Sequence, residues 1–188
     1  QIKLARFLEN HDEPRAAATF DSGMHRAAAV ITYSIPGLRF FHQGQFEGWR
    51  KRISPHLTRA PGETVDIEIQ DFYQRLLTVI SNPILKNGEW QSILCLPAWE
   101  GNESWDAFIA HAWTDANNTR ILVAVNYAPH SSQCYVKLSF DEIRNHSVQL
   151  KDALSAACYE RAGNGLLERG LYLDLPAWSY HFFHLKIK

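Results

Sequence analysis

Hydrophobic and polar positions change rhythm about halfway along the chain. Leu4 to Glu9 is a short, mostly apolar run that stops at Asn10-His11-Asp12-Glu13-Pro14, which predicts a buried strand with a loop at its C-terminal end. Met24 to Tyr33 carries Ala27, Ala28, Ala29, Val30, Ile31 and Tyr33 and is closed by Ser34-Ile35-Pro36-Gly37. That composition predicts a helix whose small residues let it approach a sheet closely. Leu38-Arg39-Phe40-Phe41 reads as a second strand, again ending in a polar, glycine-containing stretch, His42-Gln43-Gly44-Gln45-Phe46-Glu47-Gly48. Strand, helix and strand make a parallel pair joined by a crossover. Apolar residues then recur at Ile69, Phe72, Tyr73, Leu76, Leu77 and Ile80, the helical period, until Asn82-Pro83 ends the run.

From about residue 88 the pattern turns to short strands. Phe108 to Trp113, Arg120 to Tyr127 and Cys134 to Phe140 are strand-like, with Asn117-Asn118 placed for a hairpin turn between the first two. Asn145 to Leu154 fits a strand or a helix. Gly163-Asn164-Gly165 marks a further turn, and Gly170 to Leu175 a strand. The end alternates, with His181, Phe183, Leu185 and Ile187 on one side and Phe182, His184, Lys186 and Lys188 on the other. The expectation is an α/β unit over residues 1–87 followed by an antiparallel β domain, a sandwich or small barrel, over 88–188.

Composition narrows the function classes. The formal charge is -1, so no global positive field exists to attract nucleic acid or an anionic membrane. No apolar run is long enough for a membrane-spanning helix. Cys95, Cys134 and Cys158 are too dispersed for a structural zinc site and favour a reducing, cytoplasmic setting. The histidines are scattered, and no nucleotide-binding glycine pattern occurs, so no cofactor is expected in this chain.

Two segments carry a resemblance. Phe7-Leu8-Glu9-Asn10-His11-Asp12 resembles the fourth conserved region of the α-amylase superfamily, the retaining α-glucan hydrolases and transglycosylases. Gly37-Leu38-Arg39-Phe40-Phe41-His42-Gln43-Gly44-Gln45 is similar to that family's eighth-strand segment, and Leu175-Pro176-Ala177-Trp178-Ser179-Tyr180 looks like the closing strand region of its C-terminal β domain. The resemblance implies the last two βα units of a (β/α)8 barrel followed by an antiparallel β-sandwich. It makes Asp12 the carboxylate that grips the sugar's 2- and 3-hydroxyls, with His11 as a donor and Asn10 steadying the loop. His42, Gln45 and Glu47 would line the same barrel mouth, where active sites of this architecture lie.

Departures from the pattern shape the expectation. The fourth-strand Gly-x-Arg-x-Asp segment with the nucleophile is missing from these residues, as is the fifth-strand acid/base glutamate, and Gln45 stands where many relatives have an acidic residue. Glu9 and Glu13 flank the motif without forming a ready acid and nucleophile pair, and Arg15 is placed to neutralise the turn. The implied function is the C-terminal portion of an α-glucan-active glycoside hydrolase or glucanotransferase, inactive alone. Its partners would be an α-glucan or oligosaccharide and either the missing barrel segment or another copy of the chain. Whether the whole protein uses calcium, the residues do not say. A non-catalytic carbohydrate-binding or scaffold module is the alternative. Trp49, Trp99 and Trp105 are candidate sugar-stacking platforms, and packing is the competing use for each.

Overall fold

A computed structural model describes residues 3–188, and they form two units, the first ending at Ser81 and the second running Asn82–Lys188. The first is mixed α/β. Strand β1 (Ala5–Arg6) leads through the short helix α1 (Ala16–Thr19) and helix α2 (Ser22–Ser34) to β2 (Leu38–Arg39), and α3 (Ile67–Ile80) follows a long loop. β1 and β2 pair parallel, Ala5 opposite Leu38 and Arg6 opposite Arg39. Both strands are shorter than the apolar runs predict. Each has a single partner, so the ladder stops after the flanking bonds from Leu38 N to Leu4 O and from Phe40 N to Arg6 O.

The helices start where a carboxylate can accept from a free backbone N–H. Asp21 accepts from Met24 N at 2.8 Å and Asp66 from Ile69 N at 3.2 Å. Gly37 lets the chain turn back into β2: its φ is +142°, and a Cβ there would lie 2.5 Å from Leu4 O. One side of the pair is covered, with Ala27, Ala29, Val30 and Tyr33 of α2 and Ile69, Phe72, Tyr73 and Leu76 of α3 forming a buried core. Arg39 ties the helix ends to the strand, donating from Nε to Tyr33 O (2.7 Å) and from Nη1 to Ile80 O (3.2 Å). Leu38, in register with Ala5, is 68% exposed, and Phe7 and Phe40 meet edge to face at 6.3 Å with both rings partly open to solvent. No closed barrel is present among the described residues.

The second unit is antiparallel. After α4 (Ile84–Asn87) come β3 (Glu89–Ile93), β4 (Cys95–Leu96), β5 (Phe108–Thr114), β6 (Arg120–Asn126), β7 (Ser132–Val136), β8 (Ser147–Asp152), β9 (Cys158–Ala162), α5 (Gly163–Glu168), β10 (Leu171–Leu175) and β11 (Tyr180–Ile187). Six strands order as β3-β5-β6-β11-β8-β9 and three as β10-β7-β4. Ala110, Leu122, Leu150 and Phe183 of the larger sheet share one core with Cys134, Val136, Leu171 and Leu173 of the smaller. In the β5–β6 hairpin, Asn118 takes a φ of 60° while the Asp115 carboxylate accepts from Asn117 N and Thr119 N, both at 2.8 Å.

Two local expectations change. Gly163-Asn164-Gly165 opens α5 instead of forming a turn: Asn164 Oδ1 accepts from Asn145 N (2.8 Å), and Lys137 Nζ caps the other end through Leu167 O and Glu168 O. Gly163 is obligatory there, since a Cβ would stand 1.8 Å from Ile143 O. The start of β11, a strand interior to the six-stranded sheet, is buried on both faces, Phe182 and Phe183 having no exposed surface, and Phe183 lies in the core shared by the two sheets.

β8 ends in a buried acid that β11 helps to hold. Asp152 Oδ2 accepts from His181 Nδ1 (2.8 Å) and Ser155 Oγ (2.6 Å), and Oδ1 from Leu154 N and Phe182 N. Burial raises this carboxyl, but the donors outweigh it and hold it at about 2. A carboxyl depressed on folding stabilises above its unfolded range and loses that contribution as pH falls toward about 2. Asp152→Asn is therefore expected to flatten the acid limb of stability between about pH 4 and 2, read by chemical denaturation across that range. An acid limb identical to wild type would contradict this.

Candidate functional site

The site residues lie in the loops that follow β1 and β2. The apolar run of β1 ends at Glu9, which is 1% exposed. A buried carboxylate must be paired or hydrogen-bonded, and here both oxygens are used: Oε1 meets Arg15 Nη1 at 2.6 Å, and Oε2 accepts from Ala16 N at 2.7 Å at the start of α1. Arg15, 3% exposed, is the other wall of that pair. Residues 10–14 are thus a short loop closed at its base. Asn10 shapes it, its Oδ1 accepting from Asp12 N (2.8 Å) and Glu13 N (2.9 Å). His11 and Asp12 are left outward, with side chains 59% and 72% exposed and His11 Nε2 3.3 Å from Asp12 Oδ2.

Arg15 also organises the second loop. Its Nη1 lies 2.6 Å from Gln43 O and 2.9 Å from His42 Nδ1, and its Nε donates to Lys51 O at 3.2 Å. Gly44, with φ +88°, sits under the Trp49 ring; a Cβ would come within 2.2 Å of it. Arg52 Nε reaches back to His11 O at 3.3 Å. Between the loops is a cavity of about 250 Å³ whose lining includes His11, Arg15, His42, Gln43, Trp49 and Leu57.

Gln45 points the other way. It is 1% exposed, and its amide is fixed by its neighbours: the His42 N–H can only donate, so Oε1 takes that side (3.3 Å) and Nε2 donates to Tyr33 OH and Tyr73 OH, both at 2.8 Å. Tyr33 OH then donates to Phe40 O and Tyr73 OH to His25 Nε2 (2.9 Å). Burial lowers His25 to about 4, so its ring is neutral and can accept, and burial raises both tyrosines, Tyr33 to about 12. The expected sugar contact from Gln45 has no free polar atom to make it. The amide instead joins α2, α3 and the β2 loop from within.

The structure therefore brings Asn10, His11, Asp12 and His42 to one end of the β1–β2 pair. Glu47 lies on the same loop, half-buried, its carbonyl accepting from Asp66 N. Trp49 lines the cavity, whereas Trp99 and Trp105 belong to the second unit. Sequence reasoning missed the structural weight of Glu9. A glutamate at the end of an apolar run with an arginine six residues on was its signal. Among the described residues no cluster of three or more His, Cys, Asp or Glu side chains could hold a metal ion, and no helix is long and apolar enough to cross a membrane.

The sequence matches no family model and no curated protein. Among solved structures it is similar in fold to a noncanonic maltogenic α-amylase from Thermotoga neapolitana, with a TM-score of 0.71 and 17% identity over 98% of this chain and 41% of that one. It is similar also to an α-amylase from Geobacillus thermoleovorans complexed with acarbose, TM-score 0.72, 16% identity, 98% and 39% of the two chains. An Anoxybacillus α-amylase matches over 100% of this chain and 39% of its own, TM-score 0.71, 16% identity. The α/β unit followed by an antiparallel β unit is thus a fold shared with part of α-amylase structures. The chain spans about two-fifths of the length of those proteins.

Replacing Gln45 with leucine would leave the His42 N–H unpaired and remove a donor from two buried hydroxyls. Gln45→Leu is expected to cost roughly 1–3 kcal/mol, measured by urea denaturation. A change within about 0.5 kcal/mol would show that the amide is not an internal tie.

Proposed function

We propose that this chain contributes the last two βα units of a (β/α)8 barrel, and the C-terminal β domain, of an α-glucan-active glycoside hydrolase or glucanotransferase of the α-amylase superfamily. The observation that carries the reading is the His11–Asp12 loop, presented at the end of a parallel strand and closed beneath by Glu9 and Arg15. The fold likeness and the open apolar side of β1–β2, with Leu38, Phe40 and Phe7, support it, because a barrel strand pair needs neighbours on its inner face.

In this reading Asp12 accepts hydrogen bonds from two neighbouring sugar hydroxyls, and His11 donates to a third oxygen. Hydrogen bonds from hydroxyls to a carboxylate are strong and tighten as the ring gains positive charge toward the transition state. The nucleophile and the acid/base carboxyl, which must stand about 5–5.5 Å apart, belong to barrel strands outside these residues. Asp12 stabilises and does not attack.

The reading is tested in two arms with maltooligosaccharides. The 188-residue chain alone is expected to show no hydrolysis, and in a protein holding the complete barrel Asp12→Asn is expected to lower turnover by about 10²-fold or more with an unchanged melting temperature. Turnover by the chain alone, or near-wild-type activity of the variant, would overturn it. Retained glucan binding with no turnover in the complete protein would favour a non-catalytic carbohydrate-binding module.

A further inference from the structure

Of the groups that line the first-unit cavity, His42 is the one whose chemistry is decided by a neighbour. Arg15 Nη1 stands 2.9 Å from His42 Nδ1. A guanidinium has donors only and keeps its protons at any working pH. Nη1 bears two hydrogens and faces three acceptors: Glu9 Oε1 and Gln43 O, each at 2.6 Å, and this imidazole nitrogen. However those hydrogens are shared, a proton on Nδ1 would be aimed at Nη1, which has no lone pair to receive it, while Glu9 Oε1 stands 3.6 Å off, beyond hydrogen-bond reach and already engaged by Arg15. Arg15 cannot turn away, being almost fully buried and held by Glu9 on one side and by Lys51 O on the other. His42 Nε2 has no hydrogen-bond partner among the described residues, and the ring lies on the cavity wall.

We propose that Arg15 is a positioning residue that holds His42 in its Nε2–H tautomer, so that the cavity carries a fixed N–H donor. The inference rests on the α-glucan reading for its ligand and deepens it. Asp12, on the adjoining loop, offers only lone pairs, and His42 offers only a proton. A ligand served by both must supply donors and acceptors, which the hydroxyls of an uncharged sugar do and an ionised carboxylate does not. His42 thereby selects for a hydroxyl or ring oxygen with a free lone pair. The buried Glu9 sets the choice at one remove, because it holds the guanidinium that reads Nδ1.

The test uses the full 188-residue chain with nitrogen-15 histidine and long-range proton–nitrogen correlation spectra in alkaline buffer. The His42 signals are assigned by their loss in His42→Gln. The expected result is one tautomer, Nε2 protonated and Nδ1 carrying the shift of an unprotonated, hydrogen-bonded nitrogen. Nδ1–H, or an even mixture, would overturn the proposal. Glu9→Gln combined with Arg15→Met removes both charges together, leaving no lone buried ion, and is expected to release His42 into a mixture. An unchanged pure tautomer there would overturn the role of Arg15, and if the double variant does not fold the wild-type spectrum decides alone. No substrate enters these spectra, so their failure leaves the α-glucan reading standing. Conversely, a pure Nε2–H tautomer with no glucan activity in the complete protein would remove that reading and keep this one.

Discussion

A buried carboxylate must find its partners, and in this protein Glu9 finds them within seven residues of itself. Its two oxygens take Arg15 and the first N–H of α1, which closes the loop that carries His11 and Asp12. Removing one member of a buried pair costs roughly 3–5 kcal/mol, since the other charge is left without compensation. The loop is therefore held in shape by the energetics of the pair at its base, and its exposed residues need no packing of their own. Because the same guanidinium grips Gln43 O, Lys51 O and His42, the constraint passes to the loop after β2.

Beneath that pair the first unit is tied by polar groups more than its small apolar core would suggest. Gln45 joins two tyrosines from different helices, and Arg39 joins the carboxyl ends of those helices to β2. Both side chains work by supplying donors to groups that would otherwise be stranded. The apolar residues Leu38, Phe7 and Phe40, by contrast, have no cover on their side of the strand pair. The second unit is different in kind. Its two sheets share one continuous apolar core, and its buried Asp152 is satisfied by four donors within the unit.

Elements with strong periodicity were legible from sequence. α3 and α2 follow their apolar spacing, and β5 and β6 fall on their apolar runs, though both are buried at nearly every position; β11 falls where its alternation put it but loses that alternation at its buried start. β9 was not legible: Cys158–Ala162 is an edge strand with mostly exposed side chains, so its place depends on β8 and not on its own pattern. β1 and β2 looked longer than they are, since apolar runs report burial potential while ladder length depends on neighbours. In the candidate site, the outward loop of Asn10, His11 and Asp12 could be read from a motif. The inward turn of Gln45 could not, because Tyr33 and Tyr73 lie 12 and 28 positions away. Nothing local distinguishes a glutamine facing solvent from one that joins two buried hydroxyls.

That one ion pair governs both loops can be measured by hydrogen exchange in Glu9→Gln. The amides of Asp12, Glu13 and Ala16 report the first loop, and those of Gln45, Trp49 and Lys51 the second. If the pair is the common support, both sets lose protection together while amides of the second unit keep theirs. Loss confined to the first set, with the second loop as protected as in wild type, would contradict the account.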